Sequence, residues 1–210
     1  MIKIVNLQKK KIKRTEVLTN INYSFEPGKI YGVFGKNGSG KTMLLRSLAG
    51  LIIPTSGKIF IDNKELHHDI SFPPSMGIII ENMELLPQFD ARTNLKILSK
   101  IKNIASDEDI DNAIDRVGLS PHIDKKVKKY SLGMKQRLNI AQAVFEKPAV
   151  ILLDEPTNAI DDQGIELINQ LLLEEKKRGA TIIIASHHKE DIEPLCDMSI
   201  RMDQGKIIHD

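Results

Sequence analysis

One octapeptide constrains this chain more than any other stretch: Gly35-Lys36-Asn37-Gly38-Ser39-Gly40-Lys41-Thr42. It follows an apolar burst, Ile30 to Phe34, of strand character. It opens an amphipathic stretch, Lys41 to Ala49, which Gly50 closes as a helix C-terminal cap. Strand, glycine-rich loop and helix in that order form the unit of α/β folds with parallel sheets. Glycines let consecutive backbone N–H groups turn inward around anionic oxygens, and the helix N-terminus adds the positive end of its dipole. Gly35, Asn37, Gly38, Ser39 and Gly40 are therefore candidate contacts to nucleotide phosphates. Lys41 is expected to reach the β and γ phosphates, and Thr42 to ligate magnesium.

The rest of the chain extends this unit in two directions. Before it, Ile21, Tyr23 and Phe25 alternate with polar residues ahead of Pro27-Gly28, the pattern of a half-buried antiparallel strand. After it, an apolar strand from Met76 to Asn82 carries Glu81, and from Thr93 to Phe145 apolar residues recur at helical spacing without a convincing strand. Ser106 and Asp109 have the form of a capping box, and Gly118 ends the pattern that follows. Strands return as the bursts Val150 to Leu153 and Thr181 to Ala185, separated by a helical pattern from Ile165 to Arg178 with Gly179 behind it. Met198 to Met202 and Lys206 to Ile208 flank Asp203-Gln204-Gly205 as an expected hairpin.

Composition excludes several classes. Among 210 residues, 30 basic against 28 acidic side chains leave a net charge of +2, so no uniform field points to nucleic acid or an anionic membrane. The one cysteine, Cys196, cannot form an internal disulfide, which fits a reducing, cytoplasmic setting. No apolar run approaches the ~20 residues a membrane-crossing helix needs.

A second acidic element lies at Val150-Ile151-Leu152-Leu153-Asp154-Glu155-Pro156. Adjacent strand residues point opposite ways, so two roles are available. Asp154 is a candidate magnesium ligand through its water shell, and Glu155 a candidate general base on the attacking water. Upstream, Tyr130-Ser131-Leu132-Gly133-Met134-Lys135-Gln136-Arg137-Leu138 opens a helix that runs to Phe145. Ser131 alone reads as an N-cap, yet a helix N-terminus is also an anion site.

The phosphate loop, the signature helix, the acidic strand with Asp154-Glu155-Pro156-Thr157, Asn158-Ala159-Ile160-Asp161 and Ser186-His187 together resemble an ATP-binding-cassette nucleotide-binding domain. The resemblance covers nearly the whole chain. It implies an α/β P-loop NTPase (RecA-like) core with an N-terminal antiparallel β subdomain and an inserted α-helical subdomain. As one domain over 1–210, the core with its β subdomain would take 1–84 and 147–210, and the helical subdomain with the signature 85–146. The activity implied is magnesium-dependent hydrolysis of ATP by a motor subunit on the inner face of the cell membrane, bound to an integral-membrane permease. Two such domains, identical or related, would pair head to tail, with ATP between the phosphate loop of one and Ser131 and Gly133 of the other. Asp161 would contact the opposite domain and His187 the γ phosphate. No nucleic-acid partner is implied, although non-transport ATPases of this fold act on ribosomes or DNA; those usually carry a coiled-coil insertion or two fused cassettes, and this chain has neither.

The variant Ser131-Leu132-Gly133-Met134-Lys135 is similar to the ATPase subunits of bacitracin-resistance and lantibiotic-immunity exporters. Glu81 stands where the family generally carries a glutamine, and the resemblance makes it a candidate magnesium and coupling residue. Lys9-Lys10-Lys11-Ile12-Lys13-Arg14 holds no aromatic where the family usually stacks one on adenine, leaving Ile12 to pack on the base. A membrane coupling helix is expected near Glu81 and the segment Leu85 to Leu95, with Pro87 and Phe89 in the wall. His188 and Cys196 read as structural or surface residues.

Overall fold

A computed structural model describes residues 1–10, 16–80 and 84–208. Ten strands are described: β1 Ile2–Lys10, β2 Glu16–Phe25, β3 Ile30–Phe34, β4 Ser56–Ile61, β5 Lys64–Glu65, β6 Met76–Ile79, β7 Val150–Asp154, β8 Thr181–Ser186, β9 Met198–Asp203 and β10 Lys206–Ile208. Six helices accompany them: α1 Lys41–Leu48, α2 Ala91–Lys102, α3 Asp107–Arg116, α4 Leu132–Val144, α5 Asp162–Lys177 and α6 Lys189–Ile192.

The strands form two sheets. One is antiparallel, in the order β2-β1-β4-β5; the other runs β10-β9-β3-β8-β7-β6 and is parallel except for the β9–β10 hairpin. The expected strand around Ile21 is β2, and it finds in β1 a partner that its own alternation could not reveal. The strands read as apolar bursts occupy the middle of the parallel sheet because both their faces are covered. In β3, Ile30 and Phe34 enter one core with α2 to α5, whereas Tyr31 and Val33 enter the other with α1 and the antiparallel sheet. Alternate side chains of one strand thus anchor both layers.

Helix limits follow their caps. Helix α2 begins at Ala91 because the Asp90 carboxylate accepts the Thr93 N–H at 2.7 Å. Helix α5 starts a turn before the apolar pattern does, because Asp161 accepts the Gly164 N–H at 3.0 Å. Before α3, Ser106 Oγ accepts the Asp109 N–H and the Asp109 carboxylate accepts the Ser106 N–H, a reciprocal cap.

That cap carries a pH dependence. The Lys147 ammonium, then the Ser106 N–H and hydroxyl, hold the Asp109 carboxyl well below its usual range, at about 2 against 3.8. A depressed carboxyl stabilises the fold fully above its unfolded pKa and loses that stabilisation as pH falls from about 4 to about 2. With a fifth of the side chain in solvent, screening leaves about 1–2 kcal/mol. The stability gap between the parent and Asp109→Asn in denaturant titrations is expected to be of that size at pH 7, to shrink below about pH 4 and to close only near pH 2; a gap independent of pH would contradict it.

Gly77 fixes where α4 crosses β6. A methyl group there would stand 1.7 Å from the Ala143 carbonyl oxygen, a backbone atom that can move only if α4 moves. Gly77→Ala is expected to lose about 3 kcal/mol of stability, read as a lowered denaturation midpoint.

Candidate functional site

The C-terminal ends of β3, β7 and β8 lie side by side, with Phe34 opposite Ser186 and Asp154 opposite Ala185 in the parallel ladders. Open α/β sheets bind ligands outside the carboxyl ends of their strands, and the glycine-rich loop, Asp154, Glu155 and His187 emerge at this edge. Gly35 follows β3, where a Cβ would stand 2.3 Å from the Met202 carbonyl oxygen. Gly38 and Gly40 have φ of 81° and 106°, in the left-handed region that glycine tolerates. The loop is stapled from outside: Gly205 N–H donates to the Ser39 carbonyl and Thr19 N–H to the Gly205 carbonyl. The β9–β10 turn thereby braces the phosphate loop, a link no local pattern announces.

Lys41 is the cation of this site. Its side chain is only 6% exposed. The ammonium donates to the Gly35 carbonyl at 2.7 Å, folding back over its own loop, and lies 3.9 Å from Glu155 Oε1. Thr42 Oγ1 donates to Asp154 Oδ2 at 2.7 Å. Ser39 Oγ is buried without a hydrogen-bond partner in this structure. Asn37, Gly38, Gly40, Lys41, Thr42, Asp154 and Glu155, with Val17 and Met43, line a cavity of about 240 Å³.

This arrangement fits a triphosphate with magnesium. Among the described residues no group of three His, Cys, Asp or Glu side chains is placed to hold a metal. Magnesium keeps several waters and takes one or two protein oxygens plus substrate phosphates. The Thr42 hydroxyl and Asp154 carboxylate, already in contact, are hard oxygen donors of that kind.

Glu155 reaches the site by a route different from the one expected. Strand β7 ends at Asp154, and Glu155 has a φ of 50°. Its direction therefore comes from a left-handed residue and not from strand alternation, although its N–H still donates to the Ala185 carbonyl at 2.8 Å. Its carboxylate receives the Ser186 hydroxyl at 3.2 Å and the His187 N–H at 3.1 Å, and His187 Nδ1 lies 2.8 Å from Oε1. Gln136 Nε2 donates to the Glu155 and Pro156 carbonyls at 3.4 and 3.3 Å. Gln136 and Ser186 stood in the sequence only as members of the signature helix and of the Ser186-His187 pair, with no role of their own.

Ser131 and Gly133 stand apart. Ser131 caps α4, its hydroxyl accepting the Met134 N–H at 3.2 Å. A Cβ on Gly133 would stand 2.5 Å from the Ala159 carbonyl oxygen, so α4 packs tightly on the loop before α5. With Asp161 they line a second cavity of about 290 Å³ that shares no residue with the first. The Asp161 carboxylate is engaged by the cap of α5. Glu81 and Ile12 lie outside the described residues. Of the expected coupling segment, Leu85 packs against the core, while Leu86 and Phe89 are exposed. Cys196 is half-buried with its thiol donating to the Ile192 carbonyl, and burial, then Glu193 and Asp197, push its pKa up to about 11, an inert thiol.

Residues 18–158 match the family described as ABC transporter. An uncharacterised ABC transporter ATP-binding protein of Bacillus subtilis strain 168, YybJ, is 66% identical over 207 residues, covering 99% of this chain and 94% of the relative. The lantibiotic transport ATP-binding protein SrtF of Streptococcus pyogenes is 39% identical over 210 residues, 99% of this chain and 89% of the relative. The bacitracin transport ATP-binding protein BcrA of Bacillus licheniformis is 40% identical over 199 residues, 91% of this chain but 63% of the relative. Among solved structures, a post-hydrolysis dimer of the ATP-binding cassette MJ0796 bound to ADP and Pi superposes with a TM-score of 0.88 at 24% identity, covering 100% of this chain and 97% of that one. The cbiO1 protein of Clostridium perfringens, part of the transporter complex cbiONQ, has a TM-score of 0.83 at 29% identity, covering 99% and 86%.

Proposed function

The chain belongs to the ABC transporter family as an ATP-binding ATPase subunit, and from that premise we propose that it is the motor of an exporter of peptide antibiotics or other amphipathic compounds. The observation that carries the reading is the split between two half-sites. Lys41, Thr42, Asp154, Glu155 and His187 gather at one sheet edge, whereas Ser131 and Gly133 line a separate cavity. One chain thus holds half of a nucleotide sandwich, and a second copy or a related chain supplies the other half in head-to-tail pairing.

In this mechanism the N–H groups from Gly35 to Gly40 receive the phosphates at the N-terminus of α1. The Lys41 ammonium exchanges the Gly35 carbonyl for phosphate oxygens. Thr42 and Asp154 would hold magnesium, with Glu81 as the further candidate that the resemblance names; the ion would supply positive charge to the phosphates. Glu155 orients the attacking water and takes its proton, and His187 bridges Glu155 and the γ phosphate. Ser131 and Gly133 of the second copy close over the γ phosphate, and Asp161 meets the opposite domain. Closing and reopening of the pair drives a separate permease, docked near Glu81 and the exposed Leu86 and Phe89.

No helix among the described residues is long and apolar enough to cross a membrane, so the reading locates the chain on the cytoplasmic face through its permease. Its relation to the lantibiotic and bacitracin transport proteins supports export of peptides. The test is co-expression with its permease in a susceptible host. The tolerated concentration of a lantibiotic or of bacitracin is expected to rise with the parent chain and not with Glu155→Gln. Equal tolerance with both would reject peptide export.

A further inference from the structure

Two histidines follow each other after β8, and the reading above uses one. Ser186 is buried at the strand end; its Oγ accepts the His188 N–H at 3.0 Å and lies 3.2 Å from Glu155 Oε2. In a continuing strand the next two side chains would point to opposite faces. The turn made by Ser186 instead brings them together: the His187 and His188 ring centroids are 3.9 Å apart, with the planes tilted by 44°.

The His187 ring is therefore held on two sides, at its edge by Glu155 Oε1 2.8 Å from Nδ1 and on its face by His188. It needs such support. The side chain is 35% exposed and borders an open cavity of about 870 Å³ shared with Lys36, Lys189 and Arg201, so other rotamers have room to form. A ring that points into that cavity no longer bridges Glu155 and the phosphate.

We propose that His188 is a positioning residue for ATP hydrolysis: by stacking on His187 it keeps that imidazole in the rotamer that meets Glu155. The inference rests on the roles given above to Glu155 and His187, through which His188 acts. A pair of stacked rings has a strength that corresponds to about a three- to tenfold change in rate when one ring is removed.

The test is steady-state ATP hydrolysis by the full-length parent chain and by His188→Ala and His188→Phe, with nucleotide affinity measured on the same samples. Both substitutions are at an exposed turn. His188→Ala is expected to lower kcat about three- to tenfold at unchanged KM and unchanged affinity, and His188→Phe, whose ring can still stack, to recover most of the loss. An unchanged kcat in His188→Ala, a change confined to KM, or an equal loss in His188→Phe overturns the inference. A parent chain without ATPase activity, or a Glu155→Gln chain that hydrolyses ATP normally, overturns the underlying reading instead.

Discussion

Replacing Glu155 by Gln is expected to lower ATP turnover about 10²–10⁴-fold while ATP still binds. The amide is isosteric with the carboxylate, and its oxygen can go on accepting the Ser186 hydroxyl or the His187 N–H. The left-handed turn at residue 155 and its N–H to the Ala185 carbonyl stay as they are. What disappears is the group able to take a proton from water. Binding depends on the loop N–H groups, Lys41 and Thr42, all of which stay in place, Lys41 losing only the charge of the carboxylate 3.9 Å away while it keeps the Gly35 carbonyl. Phosphate release and equilibrium nucleotide binding measured on one preparation check both halves. Parent-like hydrolysis would remove Glu155 from the role of base, and lost binding would make it a ligand-holding residue.

Lys41→Ala is expected to act on the other half of the cycle, weakening nucleotide binding about 100-fold or more. The ammonium is nearly buried, and in this structure it serves the Gly35 carbonyl and stands near Glu155. Deleting it removes a buried positive charge beside Glu155 from the place where a polyphosphate would bind. Two charge-assisted hydrogen bonds at about 1.5–3 kcal/mol each set the size of the loss. A fluorescent ATP analogue titrated into parent and variant reads it directly, with thermal unfolding to verify that the variant is folded. Affinity within a few-fold of the parent would mean that the backbone cradle and metal ligands carry binding without this lysine.

Local chemistry was legible in the sequence wherever one segment carried its own physical reason. The octapeptide around Lys41 announced strand, loop and helix, and all three are present. Ser106 with Asp109 announced a cap, and both of its hydrogen bonds form. The apolar bursts at β7 and β8 were readable as central strands because burial on both faces leaves no alternation.

What stayed hidden is non-local or depends on a single backbone angle. Strand β4 pairs with β1 across more than fifty residues, and its six residues Ser56–Ile61 begin with three exposed positions that carry no apolar signal. The contact between Thr42 and Asp154 joins positions 112 apart. The orientation of Glu155 was ascribed to strand alternation and is set by a positive φ at a non-glycine residue, which propensity does not foresee. The stacking of His187 on His188 depends on a turn made by Ser186, just past the burst that the sequence ends at Ala185, and no residue pattern there announces it. Glu81 and Ile12, both singled out by resemblance, lie outside the described residues.

The central claim is that this chain is the ATPase motor of a membrane transporter and works with an integral-membrane permease. The most direct measurement is to tag the chain, extract membranes of its native host in mild detergent with nucleotide present, and identify what co-purifies near stoichiometry. The account predicts a polytopic membrane protein; ribosomal proteins or DNA recovered without any membrane partner would contradict it.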